Sequence, residues 1–220
     1  MVVPATDHPP TLATCQAALA ASTEPPDEVI VVDGPRSRSA SDARNAGALQ
    51  ARGDVLVFVD ADVEVHPDAL GRIRDAFARD PGLTALHGSY DDSPRASGTV
   101  SVFRNLLHHH VHQTGGGPAA TFWSGLGAVR RADFLAVGGF DGARYPQPSI
   151  EDIELGHRLC EAGGRLRLDP SIQGTHLKRW TLRSMLWTDF ARRGAPWVAL
   201  QLRTGRMAST LNCSWRISSA

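Results

Sequence analysis

The sequence predicts an α/β fold, a mostly parallel sheet flanked by helices in a single domain. Three observations carry this. From Val2 to Arg79, short apolar runs rich in β-branched residues alternate with helix-patterned segments, the signature of strand–helix–strand units. Residues 55–62 read Val-Leu-Val-Phe-Val-Asp-Ala-Asp, a run short enough for a strand buried on both faces, as parallel strands are. The 220 residues have an ordinary globular composition, enough for one sizeable core.

Taken in order, Val2–Val3 reads as a strand end and Pro4 to Pro10 as a polar loop. Thr11 caps a helix that runs to about Ala21, and Pro25-Pro26-Asp27 breaks it. Glu28–Val32 is a strand ending in Asp33-Gly34, followed by a loop to Ser39 and a helix over Asp42–Arg52 closed by Gly53. The Val55–Val59 strand follows, then a helix over Pro67–Arg79 with proline in its first turn. Ala85–Tyr90 is a strand and Val100–Gln113 a helix, with a Gly-rich break at Thr114–Pro118. Phe122–Val129 is strand-like, Arg131–Val137 helical, Asp141–Ser149 a loop and Glu151–Ala162 a helix. Arg165–Leu168 and Ile172–Thr175 read as two short strands, and from about Leu182 the chain reads as helix with Pro196 inside it. There is no internal repeat and no low-complexity tract.

Lys+Arg and Asp+Glu both number 23, so the net charge is zero, which gives no reason to expect a nucleic-acid partner. The charge is unevenly spread. From Leu177 onward stand eight basic residues and one acid, Asp189, a net of +7 that residues 1–176 balance with −7. Such a tail suits a membrane surface or a phosphorylated substrate, with a solvated helix face as the alternative. Cys15, Cys160 and Cys213 are three and far apart, neither a disulfide framework nor a zinc pattern. A reducing, cytoplasmic setting is therefore expected, peripheral on the cytoplasmic membrane face if the tail docks there. No charged-then-apolar leader opens the chain, and no apolar run approaches the roughly 18–20 residues of a membrane span. The very short first strand and the unhelical last residues, Cys213–Ala220, also suit a fragment of a longer chain.

The end of the Val55–Val59 run carries the chemistry. Ligands of open parallel sheets bind at the carboxyl ends of strands, and alternation puts Asp60 and Asp62 on the same side of an extended segment. Two carboxylates so placed repel unless a cation lies between them. Hard oxygen ligands suit Mg²⁺ or Mn²⁺, with substrate phosphates completing the shell.

Five pieces then fall in order: Asp33 at a strand end, Arg44-Asn45 at the start of the next helix, Asp60-Ala-Asp62, Glu151-Asp152 opening a helix, and His176 ahead of Arg179-Trp180. The stretches Val29-Ile-Val-Val-Asp33, Ala43-Arg-Asn-Ala-Gly47, residues 54–62, Ser124-Gly-Leu-Gly127, Gly138-Gly-Phe-Asp141 and residues 150–159 together resemble the family 2 glycosyltransferases. That resemblance implies a GT-A-like fold with a Rossmann-type sheet. It also implies inverting, metal-dependent transfer from a nucleotide sugar, most commonly a UDP-sugar, to a hydroxyl on a lipid, glycan or small metabolite. By the resemblance, Asp33 would hold the base or ribose, Arg44 would approach the diphosphate, and Asp60 would hold the ribose or support the metal. Asp62 and His176 would ligate Mn²⁺ or Mg²⁺. Asp152 would be the general base, with Glu151 beside it, and Trp123 and Gly125 would form the floor of the sugar and acceptor site. His176-Leu-Lys-Arg-Trp180 resembles the Gln-x-x-Arg-Trp motif of processive members, with His in place of Gln. This favours transfer of a single sugar, with Arg179 and Trp180 near the donor.

Residues 1–181 are thus expected to be the catalytic domain, 1–100 its nucleotide-sugar half and 101–181 its acceptor half. Residues 182–220 would be a basic, Trp-containing helical segment next to a membrane, or a helix packed on the sheet. His108, His109, His110 and His112 cluster without a flanking carboxylate or cysteine, which points to helix packing or cleft lining over a metal site. A nucleotidyltransferase on a similar fold and a non-catalytic sugar-nucleotide-binding module remain alternatives.

Overall fold

A computed structural model describes residues 1–6, 8–34 and 39–205. Asp7, the loop 35–38, and the tail with Arg206, Cys213 and Arg216 lie outside the described residues. Eight strands form one sheet: β1 (Val2–Ala5), β2 (Ile30–Asp33), β3 (Val55–Val59), β4 (Val63–Val65), β5 (Leu83–Tyr90), β6 (Gly117–Ala119), β7 (Leu126–Arg130) and β8 (Arg165–His176). Their spatial order is β2-β1-β3-β7-β5-β8-β4, with β6 also paired to β8. β1, β2, β3, β5 and β8 run one way, while β7 is inserted antiparallel between β3 and β5, and β4 and β6 run antiparallel on β8. The sheet is open and mostly parallel, as the sequence predicts.

The helices are α1 (Leu12–Ala20), α2 (Ala40–Gln50), α3 (Ala69–Arg79), α4 (Thr99–Thr114), α5 (Arg131–Ala136), α6 (Glu151–Glu161), α7 (Leu182–Trp187) and α8 (Ala195–Thr204), with a π-helical stretch at Thr188–Gly194 joining the last two. α2 starts two residues earlier than expected because the Ser39 hydroxyl accepts from the Asp42 amide at 3.0 Å. Pro196 stands in the first turn of α8, where a missing N–H costs nothing.

Two apolar layers sandwich the sheet. One packs α1 and α3 on β3, β4 and β5 through Cys15, Leu19, Ile73 and Phe77. The other packs α2, α5 and α6 through Val2, Phe58, Phe134 and Leu155. Phe58 is fully buried and meets the rings of Phe134 and Phe140 at 5.3 Å each and Phe122 at 6.5 Å. A smaller cluster joins α8 to the start of α6: Trp197 and Leu200 pack with Tyr145 and Ile150. The last helix is therefore packed against the domain, whereas α7 and the π-helical stretch have no buried residue.

The second half departs from the expected elements in three places. β4 follows Asp62 directly, too short to read from three residues. The expected strand from Phe122 starts at Leu126, because residues 122–125 turn over the sheet edge. The two short strands after Arg165 are one strand, β8, which continues past Pro170. There the β5 register shifts between His87 and Ser89, at Gly88, whose missing side chain lets the Ile172 carbonyl approach. Part of the Gly-rich break becomes β6.

Phe58→Ala should destabilise the domain by about 3–5 kcal/mol, measured as a lowered urea midpoint at unchanged slope. A change below about 1 kcal/mol would mean that the ring cluster around Phe58 repacks freely.

Candidate active site

The functional residues gather at one edge of the sheet. The carboxyl ends of β1, β2, β3, β5 and β8 lie there, together with the amino ends of the oppositely running β4 and β7. β3 ends at Val59, so Asp60, Ala61 and Asp62 form the turn into β4, closed by the Val63 amide donating to the Asp60 carbonyl at 3.0 Å. The Asp60 amide donates to the Gly125 carbonyl at 3.1 Å, which ties this turn to residues 122–125.

Asp62 and His176 face each other. His176 is the last residue of β8, registered opposite Val63, and its Nε2 lies 3.5 Å from Asp62 Oδ2. On the other side of the ring, Nδ1 lies 2.5 Å from Asn105 Oδ1. A carbonyl oxygen only accepts, so Nδ1 carries a hydrogen and Nε2 is the nitrogen that faces Asp62. Tyr90 stacks on the imidazole at 4.2 Å and 11°. Burial raises the Asp62 pKa, but the His176 hydrogen bond and charge, then Lys178, outweigh it and hold the carboxyl below its ordinary value.

Arg44 bridges the two halves of the site. It is 4% exposed, with Nη2 donating to Asp60 Oδ1 at 2.6 Å and Nη1 to Glu151 Oε1 at 3.3 Å. Burial disfavours the guanidinium charge, yet Asp60 and Glu151 together raise its pKa above the ordinary value. The arginine expected near the diphosphate thus engages two protein carboxylates, and its Nε is buried without a partner. Glu151 is anchored further by the Ser149 amide, which donates to Oε2 at 2.7 Å.

Asp152 opens α6 beside Glu151. Its Oδ2 accepts from the Ser124 amide at 3.2 Å and lies 3.5 Å from the Ser124 hydroxyl, and its Oδ1 accepts from the Ile153 amide at 2.8 Å. Burial, then the neighbouring Glu151 charge, push its carboxyl up to about 6, against the opposing pull of the Ser124 amide and Arg44. Trp123 lies edge-on to Tyr90 at 4.8 Å and to His112 at 5.0 Å. Its indole covers Gly125, where a side chain would collide with it. The charges of Asp62, Asp60 and Asp152 all reach the buried Tyr90, whose phenol is pushed well above its ordinary value, first by burial and then by these carboxylates.

The remaining expected residues lie further out. Asp33 ends β2 exposed, its Oδ1 accepting from the Gly34 amide at 2.7 Å and lying 3.2 Å from His8 Nδ1. Arg179 is exposed on the segment after β8. Trp180 is 7% exposed, held to α4 by two hydrogen bonds with the Ser101 hydroxyl and flanked by Lys178 at 4.6 Å and Arg104 at 5.6 Å. It packs against α4 through these contacts. Among the histidines, burial pushes His87 down to about 4 and His112 down to about 3, and His108 well below its ordinary value. They pack as neutral rings, His108 and His112 against Trp123, His108 also against Tyr90, and His87 against His112 and Phe122.

Among the described residues no group of three or more His, Cys, Asp and Glu side chains is placed to hold a metal ion. A divalent ion would therefore have two protein ligands, Asp62 and His176, and phosphate oxygens of a donor for the rest. The Asn105 bond that frees Nε2 fits this use, because ligating histidines ordinarily carry such a partner on the other nitrogen. Sequence reading missed Asn105, Ser124 and Tyr90. Ser124 lay inside a matched stretch, and Asn105 had the signal of a polar residue in register with Ser101, His108 and His112.

Comparison with known proteins bears on the fold and the family likeness. The model of the family described as glycosyl transferase family 2 matches residues 34–135. The pre-mycofactocin glycosyltransferase of Mycobacterium tuberculosis is 28% identical over 179 residues, covering 72% of this chain and 34% of its own length. This chain thus spans about a third of that relative. Two solved structures share the fold. The mannosyltransferase PcManGT from Pyrobaculum calidifontis, in complex with GDP-Man and Mn²⁺, has a TM-score of 0.68 at 16% identity, covering 93% of this chain and 64% of that one. S. aureus TarS 1-349, in complex with UDP-GlcNAc, has a TM-score of 0.60 at 16% identity, covering 82% and 58%. With the GT-A fold and the ordered motifs at one sheet edge, this chain is similar to glycosyl transferase family 2 over residues 34–135, a stretch that includes Asp60 and Asp62.

Proposed function

We propose that this chain catalyses inverting transfer of a sugar from a nucleoside diphosphate sugar to an acceptor hydroxyl, assisted by Mn²⁺ or Mg²⁺ at Asp62 and His176. The observation that carries the reading is Asp152: a carboxylate poised near pH 6, held on both oxygens, at the same sheet edge as the Asp62–His176 pair. A general base works best with its pKa near the working pH. At neutral pH Asp152 is ionised and takes the acceptor proton as the hydroxyl oxygen attacks the anomeric carbon. The bond from that carbon to the diphosphate oxygen breaks on the opposite face, which inverts its configuration. When bound, the divalent cation neutralises charge on the departing diphosphate, so no second carboxylic acid is needed. Ser124 and Ile153 fix the direction of the Asp152 lone pairs, and Arg44 holds Asp60 and Glu151 in place. A UDP-sugar is the first donor to test and GDP-mannose the second, since solved neighbours carry donors of both kinds.

Asp152→Asn should lower turnover at least about 10³-fold while thermal stabilisation by UDP or GDP with Mn²⁺ stays unchanged. Equal turnover would remove Asp152 as base. In the parent protein, kcat/KM should rise with pH through about 6, a limb that the Asn variant lacks.

The same carboxyl sets a stability difference. Its folded pKa lies above the unfolded one, so its contribution is fully present below the unfolded value and is lost as pH rises through about 6. Asp152→Asn should therefore gain more stability relative to the parent at pH 8 than at pH 4.5, by about 2 kcal/mol. Urea titrations at both pH values read this, and no difference between them would mean that the carboxyl is not perturbed.

Asn105→Ala should weaken Mn²⁺ binding about 10–100-fold, read as free Mn²⁺ by electron paramagnetic resonance in the presence of UDP. Asn105→Asp, which keeps the accepting oxygen, should retain it. Equal Mn²⁺ affinity in Asn105→Ala would mean that His176 does not depend on this bond.

A further inference from the structure

Helix α4 is built inside out. Its buried face carries Ser101, Asn105 and His112, with His108 in the same register. Its outer face carries Phe103, Leu106 and Leu107, exposed by 55%, 38% and 40%. Across the Arg104–Asp189 ion pair at 2.6 Å lies the segment Leu182–Gly194, which buries none of its residues. Leu182, Leu186 and Phe190 follow at i, i+4 and i+8 and are 55%, 58% and 75% exposed, with Trp187 beside them at 61%. Seven large apolar side chains thus stand uncovered, three on α4 and four on the Leu182–Gly194 segment, with one ion pair between the two.

The exposed charges next in sequence to the Leu182 stripe are basic. Lys178, Arg179 and Arg183 are exposed, and the only acid of the segment, Asp189, is taken by Arg104. We propose that this surface docks on an anionic lipid bilayer, with the apolar stripes in the headgroup boundary and the cations on lipid phosphates. Tryptophan, leucine and arginine on one exposed stripe is the composition that suits such a boundary. A second copy fits poorly, because a twofold contact sets these cations against their own equivalents. The chain beyond Gly205 fits no better, since it adds Arg206 and Arg216 and no acid. Among the described residues no helix is long and apolar enough to cross a membrane, and the proposed contact needs none. Asn105, on the buried face of α4, touches His176, so the docked helix brings the site next to the bilayer.

The test is vesicle flotation of the full chain with phosphatidylcholine alone and with about 30% phosphatidylglycerol. The expected result is binding to the anionic vesicles at least about tenfold above the neutral ones, lost with added salt. Leu186→Asp with Phe190→Asp should lower that binding at least about tenfold, with unchanged circular dichroism and unchanged stabilisation by nucleotide and Mn²⁺. Arg183→Glu, which alters no buried group, should lower it as well and serves if the double variant misfolds. Failure of the folded parent to float with anionic vesicles overturns the proposal. So does a parent dimer in light scattering that Leu186→Asp with Phe190→Asp turns into a monomer. The assay reads binding alone, so its result is independent of whether sugar transfer is the activity.

Discussion

The site depends on one buried cation. Arg44 reaches from α2 to Asp60 at the end of β3 and to Glu151 at the start of α6, residues 16 and 107 positions away. A guanidinium withdrawn from water is tolerable only when its charge is matched, and each carboxylate here also needs that match. Without the cation, Asp60, Glu151 and Asp152 would meet at one sheet edge with nothing between them. With it, Asp60 and Glu151 are held and Asp152 is left as the one carboxyl of the three not bonded to Arg44. The elevation of Asp152 follows from this division: it is desolvated, it sits beside the Glu151 charge, and it receives only the distant pull of Arg44.

The sheet explains why these groups converge. Five strands deliver their carboxyl ends to one edge, and the antiparallel β7 delivers its amino end to the same edge. The segment before β7, Trp123-Ser124-Gly125, is therefore at the cleft, with Ser124 on Asp152 and the Gly125 carbonyl on the Asp60 amide. A uniformly parallel sheet would have sent that segment to the far side. The glycines here are a packing necessity, since a side chain at Gly125 or Gly127 would meet the Trp123 indole or the Phe122 ring.

Much of this was legible in the sequence, for local reasons. The Val55–Val59 strand and the Glu151 helix start were read at their observed positions, because a fully apolar run ending in acids and an acid-led helix are self-contained patterns. The Asp62–His176 pairing was reached only through the family resemblance, since 114 positions separate the two residues. Illegible were the features set by distant partners. β4 and β6 are three residues each and exist because β8 offers them an edge. Arg44 looks like any arginine in a helix until Asp60 and Glu151 are placed around it. The tail read as one basic segment, yet Trp197 and Leu200 turn inward onto Ile150 while Leu186 and Phe190 stay outside. The difference lies in which face the domain happens to cover.

The inverted α4 connects these observations. A helix with serine, asparagine and histidine inward cannot be held by apolar burial alone, so its inner face is tied down by specific bonds: Ser101 to Trp180, Asn105 to His176, His109 to the Tyr90 carbonyl. Each partner lies on β5, at the end of β8 or just after it, so the helix is positioned by the same groups that line the cleft. Any contact that moves or steadies its apolar outer face therefore acts on the imidazole that faces Asp62. In the proposed docking, the bilayer would complete the burial that the domain leaves undone on that outer face. Membrane contact and the geometry at His176 would then be two faces of one helix.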